Sequence, residues 1–166
     1  MTDTTTDVLP WVTFGLGSLF TLFMFLLDSR RQKAERNRLE ILELMKRVYD
    51  PLLAEIKENL TALKSLEAVR KYKEPHDAIR WEDLGFSTAE WEYVKTSGYY
   101  HAIDTEIATQ LHTLYSHFHE IRYWGTDVEG VFKGIRELKV EGALENLAAS
   151  ISNKISSLRQ SAKLGQ

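Results

Sequence analysis

Hydrophobic and polar positions follow two different regimes along this chain. From Val8 to Leu27 no side chain is charged, and Trp11, Phe14, Leu16, Leu19, Phe20, Leu22, Phe23, Phe25, Leu26 and Leu27 leave no polar face. A helix over that run spans roughly 30 Å, the depth of a bilayer's hydrocarbon core, and satisfies its own backbone polar groups in lipid. The pattern predicts one transmembrane helix over 8–27, preceded by a short tail over 1–7. After a charged collar at 28–38 the spacing becomes amphipathic. Leu42, Met45, Tyr49, Leu52, Ile56, Asn59, Leu63 and Leu66 recur at alternating three- and four-residue steps, broadened by Leu53 and Leu60. This is the period of a long helix with one apolar face. Pro51 cannot donate to the helical ladder and restricts Asp50, so a kink is expected there, or a restart with Asp50 as N-cap and Pro51 at the first helical position.

The pattern lapses from Arg70 to Phe86, through Lys73-Glu74-Pro75-His76 and Leu84-Gly85, which reads as a connector. Ser87-Thr88-Ala89-Glu90 has capping-box spacing, Trp91 and Val94 give the next short helix an apolar side, and Ser97-Gly98 closes it. A further helix starts near Asp104 and carries Ile103, Ile107, Leu111, Leu114, Phe118 and Ile121 on one face up to Gly125. Thr126-Asp127-Val128-Glu129 repeats the capping-box spacing ahead of Val131, Phe132, Ile135 and Leu138, and Gly142 is expected to interrupt or kink that segment. The last helix bears Leu144, Leu147, Ile151, Ile155 and Leu158 along one side. No run of alternating β-branched residues occurs. The expected fold is all-α, a single N-terminal transmembrane helix followed by a helical bundle over 39–166 that assembles into oligomers.

Charge adds direction to this picture. Asp3 and Asp7 precede the apolar run with no Lys or Arg, whereas Arg30, Arg31, Lys33, Arg36 and Arg38 follow it, offset by Asp28 and Glu35. The positive-inside rule then places the C-terminal domain in the cytoplasm and the N-terminus outside, in a cell inner membrane. A cleaved signal peptide is disfavoured, because the start MTDTTTD is acidic and the run ends in Asp28-Ser29-Arg30-Arg31 without a small-residue cleavage site. The chain has no cysteine, which excludes disulfides and thiolate metal sites. The overall charge of −3 leaves the domain mildly acidic once the collar is set aside, which argues against direct nucleic-acid binding. With about 130 residues beyond the apolar run, there is material for one small core.

Four features are candidates for chemistry or contact. Arg70 and His76 have the R-x5-H spacing of helical HEPN-type ribonucleases, where Arg stabilises phosphate charge and His transfers a proton from the same helix. Pro75 between them favours a solvated helix exit instead. The second feature is the concentration of rings from Tyr99 to Trp124, which includes His101, His112, His117 and His119. His112 and His119 are two turns apart and His117 and His119 diverge, so no metal site is expected; the alternatives are a helix with polar tips at the surface or a small-ligand or nucleotide pocket. Third, Thr13, Gly17 and Thr21 lie four apart in the apolar run and form a self-association face. Fourth, the basic collar and the late basic helix with Lys154, Arg159 and Lys163 can attract anionic lipid, at roughly 1 kcal/mol per charge. That last helix is expected to bury its stripe in the bundle rather than lie on the membrane.

The order of elements, with Leu-Leu-Ala-Glu-Ile-Lys-Glu-Asn-Leu at 52–60, Phe86-Ser87-Thr88-Ala89-Glu90-Trp91, Ser97-Gly98 and Leu111-His112-Thr113-Leu114-Tyr115, resembles a loose class of prokaryotic single-pass proteins with a helical cytosolic domain. In layout it is similar to small membrane proteins that accompany CRISPR systems and permeabilise the inner membrane in phage defence. That resemblance implies a homo-oligomeric, pore-forming or membrane-perturbing protein, with a cytosolic defence protein or a nucleotide signal as partner. It carries over no catalytic residue and no cofactor. The expected self-contact residues are Thr13, Gly17 and Thr21 in the span and Leu42, Met45, Tyr49 and Leu52 below it, with Asp28, Arg30 and Arg31 at the pore mouth. The alternatives are a non-enzymatic tether for a cytosolic partner and, third, a membrane-bound ribonuclease using Arg70 and His76.

Overall fold

The long helical periods all form helices, and among the described residues there is no strand. The computed structural model describes residues 9–125 and 127–164, with side chains from Phe20 onward except at 69, 82, 124 and 164. The expected tail over 1–7, Val8 and Thr126 lie outside the described residues. Helix α1 covers Leu9–Leu44 and passes through a wide π turn, Met45–Tyr49, into α2, Asp50–Arg70. The expected restart at Pro51 does not occur. Asp50 is not an N-cap but is itself helical, with φ −65° and ψ −47°, and its N–H reaches five residues back to the Met45 carbonyl. Pro51 has no N–H to give and its ring crowds the turn before it; widening that turn lets the helix continue.

Among the described side chains, those of α1 first pack on the core at Ile41 and Leu44. The collar residues Asp28, Arg30, Arg31, Lys33, Arg36 and Arg38 are all exposed on this bare stretch, which extends for about 20 Å. Gln32 Nε2 donates to Asp28 Oδ2 at 3.0 Å, one turn apart on the same face. Among the described residues, no helix is long and apolar enough to cross a membrane. The backbone of the apolar run is helical from Leu9, while its side chains are described only from Phe20.

The core forms where α6, Val140–Leu164, packs against both α2 and α4, Thr105–Trp124. Leu52 and Ile56 of α2, Leu111, Leu114, Phe118 and Ile121 of α4, and Leu144, Leu147 and Ile151 of α6 are all fully buried there. The apolar stripe of α6 is thus spent inside the bundle, and α6 also lies against α1 and the π turn. Met45, Tyr49 and Leu52 are 5%, 0% and 0% exposed, so the area assigned to contacts between subunits is already buried within one chain. Leu42 alone of that set stays outside, at 40%.

Two short helices complete the domain, α3 over Ala89–Thr96 and α5 over Val128–Glu137. Asp104 caps α4 by accepting from the Glu106 N–H, and its own N–H donates to the Tyr49 hydroxyl at 3.1 Å, which ties the start of α4 to the π turn. Asp127 caps α5 by accepting from the Gly130 N–H. Between α4 and α5 the chain turns so tightly that a Cβ on Gly125 would sit 2.5 Å from Val131 Cγ2 and 2.8 Å from the Ile121 carbonyl oxygen. Gly142 does not break the helix, as its spacing led one to expect, but lies inside α6. The break falls at Leu138 and Lys139, where Lys139 takes a left-handed φ of 50°. A glycine in a helix weakens it by only about 1 kcal/mol, which the packing of α6 overrides.

Candidate functional site

α2 places two polar side chains, one turn apart, in the protein interior: Glu55 at 2% exposure and Asn59 at 0%. Asn59 holds the backbone of Ser87 from both sides, donating through Nδ2 to its carbonyl at 2.9 Å and accepting its N–H at 2.7 Å. Glu55 then takes over the start of α3. Its Oε2 accepts from the Glu90 N–H at 2.7 Å and from Ser87 Oγ at 3.1 Å, and its Oε1 accepts from the Trp91 N–H and the Tyr115 hydroxyl. The expected capping box at Ser87 therefore works differently. Thr88 occupies the N-cap position without a side-chain cap, and the carboxylate comes from another helix. A negative charge facing the free N–H groups of a helix start is electrostatically favourable, and here it offsets the cost of burying the carboxylate. Burial, and then the adjacent Glu55 carboxylate, push the Tyr115 phenol well above its ordinary range, so it remains a proton donor.

Locked in this way, α3 and α4 enclose a basin of about 320 Å³. Its walls are aromatic. Trp91 and Tyr115 stack with ring centres 6.0 Å apart and planes 9° from parallel, and Trp81 leans on Phe118 at 6.0 Å. Phe86 stacks on the same Phe118 at 4.7 Å and touches the Trp81 ring as well, which anchors Trp81 and the Trp81–Leu84 turn. The polar groups around the basin include Lys95, Arg122, His112 and His119, with Glu92 among them. Lys95 Nζ pairs with Glu92 at 2.7 Å and lies 5.7 Å from the Trp91 ring centre.

The ring-rich stretch Tyr99 to Trp124 thus does supply one wall of a pocket, and His112 and His119 both border it. His117 faces elsewhere, with Nδ1 buried and without a partner among the described residues. Among the described residues no group of three His, Asp or Glu side chains is placed to hold a metal ion. Arg70 and His76 are not brought onto one helix. Arg70 is the last residue of α2 and covers the Phe132 ring at 5.2 Å, while His76 lies in the following turn with its side chain 86% exposed, 4.0 Å from Asp127 Oδ2. The connector between them is pinned by backbone bonds from Val128 to Asp77 and from Glu129 to Pro75. Of the association residues in the apolar run, Thr21 is exposed, and the exposure of Thr13 and Gly17 lies outside what is described. Compared with protein-family models, with curated proteins and with solved structures, the chain has no match.

Proposed function

We propose that this protein is a single-pass inner-membrane protein, N-terminus outside, whose cytoplasmic helical domain is a non-enzymatic binding module held off the bilayer by a bare helix. One observation carries the reading. Phe20, Leu22, Phe23, Met24, Phe25 and Leu26 are 50–68% exposed on successive positions that circle α1, and the folded domain covers none of them. Leaving that surface in water forgoes on the order of 5–10 kcal/mol of burial, whereas lipid accepts it from every side. The domain below is closed around its own core, so its work lies at its surface and in the aromatic basin. A reporter fused after Gln166 is expected to be active only as a cytoplasmic fusion, and truncation to residue 28 is expected to release the protein from the membrane fraction. Periplasmic activity of that fusion, or a truncated protein still in the membrane, would overturn the proposal.

A second reading, the pore-forming or membrane-perturbing oligomer of phage defence, is favoured by the four-residue spacing of Thr13, Gly17 and Thr21 on a continuous helix, which puts small residues on one face. With Met45, Tyr49 and Leu52 committed to the core, assembly rests on the span, with exposed Leu39 and Leu42 beneath it. In this reading Asp28, Arg30 and Arg31 ring the cytoplasmic mouth, and a cytosolic defence protein or nucleotide signal acts on the domain. The full chain in vesicles is expected to release a trapped dye, and Gly17→Ile to suppress release. No release at any protein density leaves the binding-module reading alone in place.

A further inference from the structure

We propose that the basin between α3 and α4 is a binding site for a small ligand with a flat aromatic body and one anionic group. Three observations meet there. The volume, about 320 Å³, is at the small end of ligand sites and suits a single- or double-ring molecule. Trp81, only half-buried at the edge, offers a ring face above a floor backed by the buried, parallel rings of Trp91 and Tyr115. The cations Lys95 and Arg122 outnumber the one carboxylate in the lining, Glu92, which holds Lys95 at 2.7 Å beside the Trp91 ring. A ring inserted beside Trp81 brings an attached carboxylate or phosphate toward those two side chains.

The site is also built in advance. The backbone N–H of Trp91 and the hydroxyl of Tyr115 both donate to the Glu55 carboxylate, so the floor beneath Trp81 cannot open without breaking a buried network. Preorganised walls spare the ligand the cost of ordering them. This inference concerns the folded domain alone and stands whether or not α1 enters a bilayer.

The experiment uses the full chain in non-ionic detergent, titrated calorimetrically with two anions of this shape, AMP and 1-naphthoate, each against its neutral counterpart, adenosine and 1-naphthamide, with empty micelles as blank. At least one anion is expected to bind with a Kd of roughly 10–1000 μM, and about tenfold more tightly than its neutral counterpart. Lys95→Gln and Trp81→Ala should each weaken it about fivefold or more, while Lys133→Gln, a surface cation outside the basin, should leave it unchanged. Which anion binds identifies the source, a nucleoside phosphate or an aromatic acid. The proposal is overturned if neither anion exceeds the blank, if the neutral compounds bind equally well, or if Lys133→Gln weakens binding as much as Lys95→Gln. Circular dichroism of each variant confirms the fold, and the neutral-versus-anion comparison on the unmodified chain decides the matter if a variant fails to fold.

Discussion

Replacing Glu55 tests the interior of this protein more sharply than any other single change. Four donors converge on its two oxygens: the N–H groups of Glu90 and Trp91, Ser87 Oγ and the Tyr115 hydroxyl. Glu55→Gln keeps the shape and one acceptor but turns an NH2 toward groups that themselves donate. Each buried group left without a partner costs about 1–3 kcal/mol, and loss of a buried charge from its network about 3–5 kcal/mol in total. For a domain of this size that amounts to a fall in Tm of roughly 10–20 °C. Tyr115→Phe removes one donor and leaves three, so about 1–2 kcal/mol is expected. Because the two groups share a bond, the double variant should be less unstable than the sum by about 1–3 kcal/mol. Thermal melts of the full chain in detergent, followed by tryptophan fluorescence, provide all four corners of the cycle. Glu58→Gln, an exposed site on the same helix, is the control for lost charge and should stay within about 0.5 kcal/mol. If Glu55→Gln melts with that control, or the two substitutions simply add, the carboxylate does not hold α3 to α4 and the reasoning is falsified.

Other outcomes rest on the same geometry. Lys154 Nζ donates to Asp104 Oδ2 at 2.8 Å, and that bond, then the Glu106 N–H, hold the Asp104 carboxyl below its ordinary value. A depressed carboxylate stabilises above its unfolded pKa and ceases to do so as pH falls through its folded one; the stability gap between the native chain and Lys154→Gln should therefore close in melts taken below about pH 4. The raised Tyr115 phenol works in the opposite direction. Unfolded chains lose that proton above about pH 10 while the folded one keeps it, so the advantage of Tyr115 over Tyr115→Phe should shrink in melts at rising alkaline pH. Gly125→Ala should cost about 1–3 kcal/mol by chemical denaturation, since the new methyl meets Val131 and the Ile121 carbonyl, and an unchanged midpoint would contradict the tight turn. Arg70→Ala should lose up to about 1 kcal/mol with its stacking on Phe132, and neither it nor His76→Ala should alter any effect of the protein on RNA; loss of an RNA-cleaving activity in both would revive the nuclease reading.

How far the sequence speaks depends on whether a feature is periodic or is made by contact. The stripe Ile107, Leu111, Leu114, Phe118 and Ile121 was readable because its period alone dictates one buried face, and the same holds for α6. The three-and-four stripe through Met45, Tyr49 and Leu52 was also readable as a buried face, but a period does not say whether the covering surface belongs to the same chain. Glu55 gave no local sign, since a carboxylate on a helix is ordinary until a helix start lands on it. Asn59 did give one, a polar residue inside an apolar stripe, and it marked the place where the Ser87 backbone is held. Breaks were hardest to place. Pro51 and Gly142 are breakers by propensity, yet a widened turn absorbs one and packing overrides the other, while the actual reversal uses Lys139. For the basin, the dense rings from Tyr99 to Trp124 pointed to one wall; the other needed Trp81 and Trp91, brought in by a connector of no regular pattern.

The wide turn at Met45–Tyr49 has one more effect, on angle. It adds the equivalent of one residue to the winding, a rotation of about 100° between α1 on one side of it and α2 on the other. From Leu9 to Arg70 the backbone is a single shaft, clamped at Tyr49 by the start of α4. The compass bearing of Phe20 through Leu26 about the helix axis is therefore set at the wide turn, where the shaft joins the domain's core.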